Sequence, residues 1–198
     1  MGAMHINHYF LPGALLARAL GRQDCLGATM MLRRDTLDRI GGFRALVDHL
    51  ADDNVLGRLV QGLGMNVALA DAIPATTVPE ATLRALWRHE LRWARTIRAL
   101  EPAQFAASVL QYPLAWAGVA IPLAAAAPWS VAWFACAWAI RALIVRSTDQ
   151  ALGLANRTPL WLLPLRELMS VAVMVASYAG RRVDWRGHTL QAEGFHTR

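Results

Sequence analysis

The chain has 198 residues, 56% of them hydrophobic, a mean hydropathy of +0.29 and only 17% charged residues, against about 25% charged in an ordinary soluble domain. These values exclude a disordered chain, a coiled coil and a collagen-like repeat, and they point to a membrane. The net charge is +6 and all twenty basic residues are arginine. A nucleic-acid groove binder would carry more polar surface, so Arg beside long apolar segments indicates a membrane surface and no nucleic acid. Cys25 and Cys136 make neither a disulfide framework nor a metal-ligand spacing and read as two buried thiols.

In chain order, the first residues lack the basic region of a signal peptide, and Pro12-Gly13 interrupts the apolar run behind them. Cys25 to Leu32 reads as a buried strand. Thr36 to Ile40 gives a helical turn or two, stopped by Gly41-Gly42. Asp52-Asp53 opens a helical pattern in which Val55, Leu56, Leu59, Val60 and Leu63 recur, with Gly64 suited to the position just past its end. Asn66 to Asp71 alternates as a strand does, and Glu80 to Leu100 is the longest helical pattern of this half. Residues 1–102 carry twelve Arg and ten Asp or Glu, the density of a water-facing fold. Strand–helix–strand–helix order predicts α/β layering, but with too few strands for an independent sheet. The half therefore reads as cut from something larger.

Residues 103–180 form a membrane region in which the charged residues are Arg141, Arg146, Asp149, Arg157, Arg166 and Glu167. Two to three spans are expected, at about 104–127, 129–145 and 160–180; the first carries no ionised residue for 24 positions, long enough to cross about 30 Å of hydrocarbon. Arg141 is placed to snorkel near a span end. Residues 181–198 are a basic tail. The run of arginines before the first span puts the 80–100 helix on the cytoplasmic side. A third full crossing would set Arg181, Arg182 and Arg186 opposite to it, which favours a re-entrant third segment. The whole chain is expected to be predominantly helical.

Three motifs could carry chemistry. Adjacent carboxylates at a helix start, Asp52-Asp53, satisfy bare N–H groups and the helix dipole. One alone would serve as a cap, so the second is free to act as a general base on a hydroxyl. On the 83–100 helix, Arg84, Arg88, Arg92, Arg95 and Arg98 fall on one arc of about 120°, opposite Leu83, Leu86, Trp87, Trp93, Ala94, Ile97 and Leu100. That amphipathicity suits a helix lying in the membrane interface, and equally a solvated face over a protein core. Glu90 interrupts the apolar arc and requires a partner. Arg166-Glu167, inside a span, must face protein or a polar cavity. His5-x-x-His8 lacks a third metal ligand.

The ordered set Gly41-Gly42-Phe43, Ala51-Asp52-Asp53-Asn54, His89-Glu90-Leu91-Arg92-Trp93 and the membrane spans resembles the ceramide glucosyltransferase-like family of inverting GT-A glycosyltransferases, including its hopanoid-associated bacterial branch. Arg33-Arg34-Asp35-Thr36-Leu37 and Leu165-Arg166-Glu167-Leu168-Met169-Ser170 are similar to that family too. The resemblance implies transfer of a sugar from a nucleotide-sugar donor to a lipid hydroxyl, of ceramide or hopanoid type, at the cytoplasmic face of a bacterial inner membrane. It places the catalytic base on Asp53, and substrate contacts on His89, Arg92, Trp93 and Asp52. His89 stands where the family has Gln or Arg, and can still donate a hydrogen bond. The family's divalent metal (Mg2+ or Mn2+) is held by an Asp-x-Asp that this sequence lacks. The resemblance is therefore to a C-terminal portion, the acceptor half of the GT-A domain followed by membrane helices. Such a portion is expected to be inactive without an upstream nucleotide-binding segment. The alternative is a non-catalytic multi-pass membrane protein that binds a lipid or protein partner through the Arg-rich helix.

Overall fold

The computed structural model describes residues 1–27, 29–47, 49 and 51–180, and the backbone of 182–185 and 188–191. The chain is mostly helical, as its sequence predicts. It opens with α1 (Gly2–His5), a widened π turn (Ile6–Phe10) and α2 (Leu11–Ala19), which run on as one helix and bury Met4, His8 and Tyr9. The short α3 (Arg34–Arg39) stops where expected, at Gly41 and Gly42, whose φ of +97° and +69° are costly for any residue with a Cβ.

α4 (Asp52–Gly62) buries Val55, Leu56 and Gly57. Gly57 lies against the 25–27 segment: a Cβ there would come within 3.1 Å of the Cys25 backbone nitrogen. α5 (Leu83–Leu100) is started by Thr82, whose Oγ1 accepts from the Ala85 N–H at 3.1 Å. Its buried stripe is Leu86, Glu90 and Ala94. Leu83 and Ile97, assigned to the apolar arc, are exposed. At its far end, Arg98 donates to the Gly180 carbonyl at 2.8 Å.

The two expected strands are a correction. Neither the described part of Cys25–Leu32 nor Asn66–Asp71 forms a strand. Both run as irregular chain, and side-chain amides supply part of what a neighbouring strand would. The Val67 N–H donates to Gln23 Oε1 at 3.0 Å, and Gln61 Nε2 donates to the Gln23 carbonyl at 3.0 Å. Strand propensity is realised only when another strand offers its backbone. Among the described residues the pairing present is the antiparallel hairpin β1 (Arg182–Trp185) with β2 (His188–Gln191), in the expected basic tail. Arg181 and Arg186 of that tail lie outside the described residues.

The membrane region differs from its expected spans in one respect. α8 (Pro128–Ala151) is a 24-residue helix with 11% of its most apolar window buried, so most of its surface is left for lipid. A turn (Leu160–Leu162) and α9 (Leu163–Ser177) form a second helix able to cross, with 39% of the corresponding window buried. The first expected span is broken instead. α6 (Pro102–Ala107), a turn (Ser108–Gln111) and α7 (Pro113–Leu123) bend by 66°. Tyr112, preceding Pro113, is excluded from helical geometry by the proline ring and sits at φ −109°, ψ 65°. The bend thus lies in the first segment, whereas re-entrance was expected of the third. Neither thiol is buried as expected: Cys136 is exposed on α8, a helix with few protein neighbours, and Cys25 is half-buried.

Two apolar clusters join these parts. Tyr9, Ala94, Phe105, Tyr112, Val173 and Met174 pack α5 and α6 onto α9. Met4, Leu114, Val145 and Leu163 pack α1 onto α7, α8 and α9.

Candidate active site

The residues around His89 converge. His89 Nδ1 contacts the Glu80 carboxylate, and its ring meets Trp93 edge to face, with centroids 4.7 Å apart and planes at 86°. Phe10, from the π turn, lies 6.2 Å from the Trp93 ring. Arg92 is half-buried on the same stretch of α5; burial lowers its pKa, and the charge of Glu80 opposes that shift. Glu80, His89, Arg92 and Trp93 therefore make one cluster of a carboxylate, an imidazole, a guanidinium and an indole.

Asp52 and Asp53 stand in the first turn of α4, where each carboxylate bonds a backbone N–H one residue on. Asp52 Oδ1 accepts from the Asp53 N–H at 3.0 Å, and Asp53 Oδ1 from the Asn54 N–H at 2.8 Å. The two then differ. Asp52 is exposed, whereas Asp53 is covered by Gly27, so closely that a Cβ there would lie 2.8 Å from Asp53 Oδ2. Burial raises the Asp53 pKa above the usual carboxylate range, the Asp52 charge adds to it, and the N–H bonds from Asn54 and Gly27 oppose it. A shielded carboxyl with a raised pKa and one oxygen aimed at a loop is the type of group suited to accept a proton. Asp52, exposed in the first turn, faces the positive end of the helix dipole; the residue before α4 is Ala51, and no side chain caps the helix.

The structure thus brings His89, Arg92 and Trp93 together and sets Asp52 and Asp53 on a separate element. None of the hydrogen bonds or ion pairs between described residues links Asp53 to that cluster. What ties α4 to α5 is Glu101, which accepts from Arg58 at 3.0 Å and from Arg22 at 2.9 Å. Sequence reasoning missed Glu80, Phe10 and Gly27. Phe10 and Gly27 lie far along the chain from Trp93 and Asp53, and Glu80, nine residues before His89, falls outside the i, i+3 and i+4 spacings of a helix.

The charges flagged inside apolar segments all find partners. Glu90 meets Arg166 across α5 and α9. Glu167 accepts from Arg141 Nε at 3.2 Å. Arg141 does not snorkel: it turns inward, donates to the His8 carbonyl at 3.0 Å and lies 4.2 Å over the Tyr9 ring. A carboxylate and a carbonyl inside the bundle outweigh the reach to the interface. His8 Nε2 is satisfied by Thr158 Oγ1 at 2.8 Å and Asp149 at 3.1 Å.

Among the described residues, no group of three or more His, Cys, Asp or Glu is arranged to hold a metal. Asp52 and Asp53 offer two carboxylates with no third His, Cys, Asp or Glu beside them, so these residues do not make a divalent-ion site.

Comparison with known proteins returns no match among curated proteins and none among solved structures. The sequence profile described as Glycosyl transferase family 21, however, matches residues 1–194 and so takes in both aspartates, the His89–Trp93 stretch and the membrane helices. The chain belongs to glycosyl transferase family 21.

Proposed function

We propose that this chain forms the acceptor side of a membrane-bound glycosyltransferase that moves a sugar, with inversion, from a nucleotide-sugar donor to a lipid hydroxyl of ceramide or hopanoid type. Family membership makes the class of reaction glycosyl transfer. The observation that carries the lipid acceptor is the placement of the His89–Arg92–Trp93 cluster on α5. The buried stripe of that helix packs on α9, a helix apolar and long enough to cross a membrane. A site built there meets its acceptor at the bilayer surface.

In this reading Asp53 takes the proton of the attacking hydroxyl. Its burial keeps it basic enough to hold that proton, and its second oxygen faces the loop that would bound the acceptor. Arg92 stabilises charge developing on the departing diphosphate, for which a planar guanidinium is suited. Trp93, with Phe10 beside it, provides an apolar wall for the acceptor, and Glu80 orients His89 toward a substrate oxygen. Because the described residues do not fit a divalent ion, no step is assigned to one.

The proposal extends to the rest of the enzyme. The segments 25–32 and 66–71 would become strands of a GT-A sheet when a nucleotide-binding segment supplies their neighbours. That segment would bring the Asp-x-Asp metal site and fix the donor. Excess arginine on and before α5 sets this face in the cytoplasm, in a bacterial inner membrane.

The test is transfer from a panel of nucleotide sugars to lipid acceptors in bilayers. Residues 1–198 alone should give no product above a no-protein control, and co-expression with the nucleotide-binding segment should give transfer. In that assembly Asp53→Asn should lower turnover by about 10²–10⁴-fold with donor binding retained. Near-normal turnover by Asp53→Asn would show that Asp53 is only a helix cap. Transfer by residues 1–198 alone would overturn the need for a second segment.

A further inference from the structure

The proposed reaction gives no role to the buried ion pair between Glu90 and Arg166. Glu90 is 6% exposed and Arg166 is 0% exposed. The guanidinium meets the carboxylate fork to fork, Nη1 to Oε1 at 2.7 Å and Nη2 to Oε2 at 2.6 Å. Arg166 also donates to Ser170 Oγ through Nη2, at 2.9 Å. Stability alone does not account for such a pair, since apolar residues of similar volume commonly do as well or better. An ion pair differs in direction. Two parallel bonds fix rotation and axial position together, which an apolar contact leaves loose.

Glu90 lies next to His89, two residues before Arg92 and three before Trp93. At about 100° per residue, Arg92 projects from the side of α5 roughly opposite Glu90. Pinning Glu90 therefore sets the direction of Arg92. The anchor is itself held. Glu167, the next residue on α9, accepts from Tyr9, from Arg141 and from the first turn of α7, so α9 cannot rotate without breaking those bonds.

We propose that Glu90 and Arg166 are a positioning pair, which sets the rotation and register of α5 on α9 so that Arg92 and Trp93 are presented to the reacting groups. This rests on the transferase reading above. Orientation effects are large: a misplacement of about 1 Å can cost about 10²-fold in rate.

The experiment uses the complete enzyme in lipid bilayers, with Cys25 and Cys136 replaced by Ser and spin labels at the exposed positions Leu83 on α5 and Leu168 on α9. Glu90→Leu/Arg166→Leu is compared with the unaltered pair, and Glu90→Gln serves if the double variant does not fold. Two quantities are read: the distance distribution between the labels, and kcat and KM for donor and acceptor. The expected result is a broadened distribution, a kcat lower by about 10–100-fold, and donor KM changed by less than about threefold. An unchanged distribution, whatever the rate, overturns the proposal, as does broadening with undiminished kcat. Absence of transfer by the unaltered enzyme sinks the transferase reading instead, and the label distances then decide the positioning role alone.

Discussion

Glu167 is the point where four elements meet, and its removal is the most informative perturbation of the fold. Its side chain is fully buried and accepts from Tyr9 Oη at 3.2 Å, the Leu114 N–H at 2.7 Å, the Ala115 N–H at 3.2 Å and Arg141 Nε at 3.2 Å. Glu167→Ala leaves the part-buried Arg141 guanidinium without its carboxylate, which costs at most about 3–5 kcal/mol, the loss in fully buried pairs. It also bares two amides at the start of α7, each worth about 1–3 kcal/mol. These do not simply add, because Arg141 keeps its bond to the His8 carbonyl and its place over the Tyr9 ring. A net loss of about 4 kcal/mol follows. With about 2–4 °C of melting temperature per kcal/mol for a chain of this size, Tm should fall by about 8–16 °C. Glu167→Gln keeps an acceptor for the amides and should lose about half as much. Arg141→Met combined with Glu167→Met should recover part of the loss, since no bare charge remains. Tryptophan fluorescence during heating in lipid nanodiscs measures all four proteins. A Glu167→Ala midpoint within 2 °C of the parent would refute the assignment of Glu167 as the junction.

Three further outcomes are expected. The acid limb of kcat/KM, which reports the free enzyme's essential base, should lie above the ordinary carboxylate value of about 3.9 and vanish in Asp53→Asn. The same raised pKa means that the folded state holds this proton longer than the unfolded chain, so its contribution to stability is present at low pH and is lost as pH rises through the raised value. Gly27→Ala would set a methyl 2.8 Å from Asp53 Oδ2 and must displace the carboxylate; turnover should fall by about 10-fold or more with Tm nearly unchanged, and parental turnover would show that Asp53 acts without Gly27. A cysteine at exposed position 88 should react with an impermeant reagent only in inside-out vesicles, and reaction from outside intact cells would reverse the sidedness.

What the sequence revealed depended on whether a feature was settled locally. α4 and α5 were legible because apolar spacing, and Gly64 just past the end of α4, act within a few positions. Glu90, Arg166 and Glu167 announced that they needed partners, since charge in an apolar segment is too costly to stand alone. Their actual partners, across separations of 76 residues for Glu90 with Arg166 and 26 for Arg141 with Glu167, had no local mark. The strands at 25–32 and 66–71 failed for a related reason: alternation shows willingness to pair, and pairing needs a neighbour. The bend falls at Pro113, inside the long uncharged run expected as the first span, where the proline excludes helical geometry at Tyr112. At the site, the motif residues on α5 and the two aspartates were found from the sequence, whereas Glu80, Phe10 and Gly27 required the fold.

The contact between Glu167 and the start of α7 also bears on how the protein is made. The two backbone amides that begin α7 find their acceptor 53 and 52 residues further along the chain. While the ribosome is still short of residue 167, the bent segment has no carboxylate to cover those amides, and hydrocarbon offers none in its place. On the membrane reading, that segment is expected to stay at the headgroup level, where water can serve, until α9 brings the carboxylate. Its settling into the bilayer is then expected to be coupled to that of α8 and α9. A nascent chain halted before Glu167 would be held peripherally, extractable by alkaline carbonate, and one extended past it would resist extraction.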